Sequence, residues 1–123
     1  MNQLQINKEK RKVLNRLKYN SLSGSKQGTF NCYANENSKH MDLKYFTWKL
    51  LKKNGYEVWC EAQFKNTLNR PDIICFKNGK FYIIEILSTE TFTELEKKII
   101  KYPKDIEILT VKTFEDIKNL EID

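Results

Sequence analysis

Cysteine and histidine are scarce in this chain: Cys32, Cys60 and Cys75 have no Cys-x-x-Cys spacing, and His40 stands alone. Any disulfide scheme leaves one cysteine over, and Cys32, His40 and Cys60 are too irregularly spaced for a zinc site. Cys60 and Cys75 fall in strand-like runs and read as small buried hydrophobes. A reduced, cytoplasmic setting fits that usage. No stretch approaches the roughly 18 apolar residues that a membrane span needs. The polar N-terminus lacks the apolar segment of a signal peptide. No internal repeat is visible, and 123 residues suffice for one modest core.

What the chain has in plenty is charge, unevenly placed. Its net charge is +6, and residues 1–28 carry all of the excess. Lys8, Lys10, Arg11, Lys12, Arg16, Lys18 and Lys26 face a single acid there, Glu9, while residues 29–123 balance. Such arms neutralise nucleic-acid phosphates and release counterions. Lys8, Lys10, Arg11, Lys12, Arg16 and Lys18 are therefore candidate contacts to a DNA backbone; the plainer alternative is a solvated helix with no partner. Ile6, Val13, Leu14 and Leu17 lie on one helical stripe, which predicts an amphipathic helix over 7–19 docked on the body. Residues 20–28 have the composition of a flexible linker. The expected division is an arm with linker at 1–28 and a globular domain at 29–123.

Beyond the linker, residues 40–54 predict a helix, with Ser38 as N-cap and Gly55 ending it. Tyr56 to Phe64 alternates as a half-buried strand, with Cys60, Ala62 and Phe64 on one side and Trp59, Glu61 and Gln63 on the other. Residues 90–102 predict a second helix with Phe92, Leu95, Ile99 and Tyr102 inward, closed by Pro103. Ile106–Val111 reads as a strand parallel to the one holding Glu85, and Thr113 to Asp116 resembles a capping box. The order after the arm is α-β-β-β-α-β-α, an α/β chain with a mixed sheet flanked by helices.

The most informative segment runs from Arg70 to Leu87. Asn78-Gly79 between two apolar runs is the strongest short hairpin signal, because a type I′ turn needs positive φ at both central residues. A two-residue turn sets Lys77 against Lys80 and hence Asp72 against Glu85. Cross-strand Cβ atoms lie roughly 5 Å apart, and like charges there repel. A chain keeps such a pair most readily around a cation, and oxygen ligands suit Mg²⁺ or Mn²⁺. Solvation, protonation of one carboxyl, or splaying of the pair would also relieve it.

Pro71-Asp72 followed thirteen residues later by Glu85, in this element order, resembles the PD-(D/E)xK nuclease superfamily with its restriction-endonuclease-like core. A closer resemblance is to the CoiA-like competence nucleases. The residues that carry it are His40 and Lys44 in the first body helix, Glu61, Arg70-Pro71-Asp72 and Ile84-Glu85-Ile86-Leu87-Ser88, over roughly residues 36–111. Ser38 stands two residues before the histidine where the pattern has three. The resemblance implies a metal held by Asp72, Glu85 and the Ile86 carbonyl. Leu87 departs from it, because relatives place Lys or Gln there, on the Glu85 face, to position water and offset charge. Lys44 or Arg70 could supply that cation, with Glu61 steadying metal or water and His40 orienting phosphate or moving a proton. The expectation is a metal-dependent nuclease acting on DNA, with no membrane, no small-molecule substrate and a homodimer left open. Two alternatives stand beside it: a non-cutting DNA-binding module on a nuclease scaffold, and an accessory subunit of a DNA-processing complex.

Overall fold

The computed structural model describes residues 2–17, 30, 37–65, 70–88 and 91–120. Its elements are helices α1 (Gln3–Leu14) and α2 (Ser38–Lys53), strands β1 (Glu57–Cys60), β2 (Ile73–Lys77) and β3 (Lys80–Ile86), helix α3 (Phe92–Ile99), strand β4 (Glu107–Val111) and helix α4 (Phe114–Lys118). The strands form one mixed sheet in the order β1-β2-β3-β4, antiparallel except for the parallel β3–β4 pair. The hairpin register is the expected one: Lys77 faces Lys80 and Ile73 faces Ile84. Asn78 and Gly79 take φ of 53° and 87°, as that turn requires.

Both faces of the sheet are covered. On one, Leu43 and Leu51 of α2 and Ile117 of α4 pack against Val58, Cys60, Ile73, Cys75, Ile84, Ile86 and Val111. On the other, Val13 and Leu17 join Trp59, Ile74, Phe76, Phe81, Ile83 and Tyr102 in a second apolar layer. β1 is thus buried on both sides rather than half-buried, because the N-terminal helix roofs the face that alternation assigned to solvent.

β1 also ends at Cys60, four residues before the expected end. Glu61 sits in the left-handed region at φ 62°, which breaks the alternation. Ala62 and Phe64 consequently join the Trp59 layer instead of the Cys60 layer. Buried Cys60 and Cys75 remain thiols, and burial pushes the Cys75 thiol up to about 12, leaving it an inert hydrophobe. Cys32 and Lys26 lie outside the described residues.

The N-terminal helix begins and ends earlier than 7–19. A capping box between Asn2 and Gln5 starts it, and Asn15 caps its end. Leu17 is buried not as a helical residue but through a β-bridge to Phe64, with the Arg16 carbonyl accepting from the Lys65 amide at 2.7 Å. For α2 the N-cap is Asn37, not Ser38: the Asn37 side chain accepts from the His40 amide at 2.8 Å. Asn37 also donates to the Ser88 hydroxyl at 3.1 Å, tying the start of α2 to the end of β3. α3 is shorter than 90–102, capped by Thr91 and Glu94, and Thr113 with Asp116 forms the anticipated box at α4.

Candidate active site

β1 ends, β2 begins and β3 ends at the same edge of the sheet, and the N-terminal turn of α2 faces that edge. Asp72, one residue before β2, is buried there. One of its oxygens accepts from the Ile86 amide at 2.8 Å, and the other lies 3.1 Å from His40 Nε2. Glu85, fully buried in β3, is hydrogen-bonded to Asp72. Its Oε1 accepts from the Tyr102 hydroxyl, and Lys98 Nζ lies 3.4 Å from its Oε2. One turn along α2 from His40, Lys44 is fully buried and ion-paired with Glu61. The Glu61 amide in turn donates to the Asp72 carbonyl.

The two acids are not equivalent. Burial alone would raise the Asp72 carboxyl, but the His40 hydrogen bond and charge, the Ile86 amide and Glu85 together hold it below the usual aspartate range. Burial and the neighbouring Asp72 charge push Glu85 up to about 8, against the opposing pull of Lys98 and Tyr102. At neutral pH Asp72 is therefore the carboxylate and Glu85 holds the proton between them.

That proton makes stability depend on pH. The folded chain binds it more tightly than the unfolded chain does, so its stabilising contribution is complete below about pH 4.5 and drains away as pH rises through about 8. Asp72 acts in the opposite sense and loses its contribution only on strong acidification. In EDTA, stability should fall by on the order of 3–5 kcal/mol between those limits for Glu85. Thermal melts from pH 5 to 9 check this, and a flat profile would contradict it.

Residues 36–109 match the family model of the competence protein CoiA nuclease-like domain. The chain belongs to this family. The match covers more than half of the sequence and takes in His40, Lys44, Glu61, Arg70, Asp72, Glu85 and Ile86, while α1 lies outside it. No curated protein and no solved structure matches the chain.

Within this CoiA-type domain, then, His40, Asp72, Glu85 and the Ile86 backbone meet directly, and Lys44 with Glu61 adjoins them through the Asp72 carbonyl. Arg70 is exposed two residues before Asp72, and Leu87 is 3% exposed with its amide on the Val111 carbonyl. Sequence reasoning missed Lys98 and Tyr102. Nothing in the sequence marked them as partners of Glu85, and Tyr102 read simply as an apolar core position. Lys10 pairs with Glu57 and Arg16 with Asp105 at 2.8 Å, whereas Lys8, Arg11 and Lys12 are exposed; Lys18 lies outside the described residues.

Among the described residues no group of three or more His, Cys, Asp or Glu is arranged to hold a metal. The two hydrogen-bonded carboxyls are nonetheless a hard-oxygen set, and Mg²⁺ needs only one or two carboxylates because it keeps most of its waters. On that chemistry the residues fit the ion that the nuclease resemblance implies.

Proposed function

We propose that this chain is a metal-dependent nuclease hydrolysing DNA phosphodiester bonds, with Mg²⁺ or Mn²⁺ held by Asp72, Glu85 and the Ile86 carbonyl. The observation that carries the reading is the contact between two buried carboxyls at one strand edge, one of them braced by His40. Burying two carboxyls together is opposed by desolvation and, once both ionise, by repulsion, and a cation between them would relieve both. Bound there, the ion would make a coordinated water more acidic and polarise the phosphate.

The chain's own groups account for the rest. His40 and the Ile86 amide fix both Asp72 oxygens, so the carboxylate cannot rotate away. Tyr102 holds Glu85 in the same manner. Lys44 neutralises Glu61 beside the Asp72 backbone, and Arg70, exposed two residues before Asp72, would meet a phosphate.

Cleavage of single-stranded, duplex and junction DNA with Mg²⁺, Mn²⁺ or EDTA tests the reading. Metal-dependent products from any of these are expected, and Asp72→Asn should abolish them. No cleavage of any form would favour a non-cutting DNA-binding module, the reading that Leu87 supports. Millimolar Mg²⁺ should also cancel the alkaline loss of stability seen in EDTA, because the ion takes the place of the shared proton.

DNA contact is assigned to the exposed cations of α1. Replacing Lys8, Arg11 and Lys12 by Gln should make the slope of log affinity against log salt shallower by about 2–3. Lys10→Gln should change it less, because Lys10 already serves Glu57. Slopes on two unrelated duplexes should agree, since backbone contacts do not read bases. An unchanged slope in the triple variant would shift the assignment to an accessory subunit whose helix docks on protein.

A further inference from the structure

The residue that relatives carry at position 87 must reach both the attacking water and the scissile phosphate, so it needs charge, contact with the acids and access to solvent. Leu87 has no charge and is buried. Lys44 has charge, but its side chain is completely buried and ion-paired with Glu61. Lys98 meets all three demands. It lies in α3, its Nζ is 3.4 Å from Glu85 Oε2, and its side chain is 31% exposed. A second group, four residues on and just past the end of α3, fixes the geometry: Tyr102 donates to the other oxygen of the same carboxyl. α3 and the turn that follows it therefore hold Glu85 at both oxygens, by a buried hydroxyl and by the ammonium of a partly exposed lysine.

We propose that Lys98 is the catalytic lysine of this chain, brought to the site by α3 in place of the residue that Leu87 replaces just after β3, with Tyr102 as the positioning residue for Glu85. The proposal rests on the nuclease reading above. In the reaction a water oxygen bonds to phosphorus as one ester P–O bond breaks. The water gives up a proton, and the departing oxygen ends with one. Lys98 keeps its own protons throughout. Its ammonium donates hydrogen bonds to the attacking oxygen and to a non-bridging phosphate oxygen, where negative charge grows as the new bond forms.

Lys98→Met keeps the length and apolar stem of the side chain while removing the charge, and Lys98→Arg keeps the charge. The test is steady-state cleavage of one oligonucleotide by wild type, Lys98→Met, Lys98→Arg and Asp72→Asn, with a thermal melt for each. Loss of about 10²–10³-fold in kcat for Lys98→Met, with KM for DNA within about threefold, is expected from loss of one transition-state donor. Lys98→Arg should recover most of the rate, which a merely structural stem would not require. If wild type cuts and Lys98→Met cuts equally well, or loses only KM, the Lys98 assignment is overturned and the nuclease reading stands. A drop in rate that Lys98→Arg does not recover, or that tracks a lowered melting temperature, also overturns it. If wild type leaves every DNA form intact with Mg²⁺ and Mn²⁺, the nuclease reading falls and takes this assignment with it.

Discussion

Glu85→Gln is expected to stop cleavage while raising the melting temperature of the metal-free protein at pH 8. Most substitutions of a fully buried polar residue destabilise, so the sign is diagnostic. In the wild-type fold Glu85 must be protonated at a pH where the unfolded chain would ionise it. Each unit between those conditions costs about 1.4 kcal/mol, so the glutamine, which needs no proton, recovers a few kcal/mol. Its amide can donate toward Asp72 and its carbonyl can accept from Tyr102, so neither neighbour loses its bond. Lys98, partly exposed, can swing outward. Asp72→Asn should behave differently. Asp72 is already ionised and takes three hydrogen bonds, from the Ile86 amide, His40 and Glu85, so losing its charge should cost about 1–3 kcal/mol. Both variants should lose cleavage by about 10³-fold or more if the pair holds the metal. Urea titrations in EDTA and cleavage with Mg²⁺ separate the two signs. Equal destabilisation by both variants would show that the pair does not share a proton.

The second large effect is expected at the other end of the chain. Leu17→Ala should cost about 2–5 kcal/mol, the usual range for a buried leucine, because Leu17 is 2% exposed and bridges to Phe64. A chain beginning at Thr29 removes Val13 and Leu17 together and uncovers Trp59, Ile74, Phe76 and Phe81. Against a total stability of roughly 5–15 kcal/mol, that loss should abolish cooperative unfolding. The measurement is a urea titration of both variants beside wild type. A truncated chain with an unchanged midpoint would make α1 an appendage after all.

Some of this was legible in the residues and some was not, for physical reasons. The Asp72–Glu85 pairing followed from Asn78-Gly79 alone, because a two-residue turn allows one register. His40 and Lys44, four apart on a helix, had to share a face, and they do meet Asp72 and Glu61. The partners of Glu85 could not be read in this way. Which helix face meets a strand depends on how the β3–α3–β4 crossover lies on the sheet, and the pattern of α3 shows only which residues are apolar. Trp59 failed for a related reason. Alternation says that a strand has two faces, not whether a distant helix covers the second. The choice between Asn37 and Ser38 as cap is finer still, since either side chain can accept from the first turn.

Because α1 roofs the second sheet face, its partners come late in the order of synthesis. Val13 and Leu17 leave the ribosome before any of the aromatic residues that will bury them have been made. A helix of 12 residues is too short to persist alone, as isolated helices below roughly 12–15 residues are marginal in water. The helix therefore depends for its persistence on the sheet face built around the Asn78-Gly79 hairpin, which is made roughly sixty residues later. Until that face exists, the excess positive charge of the chain has no sheet to dock against, next to the polyanionic RNA of the machine that is making it.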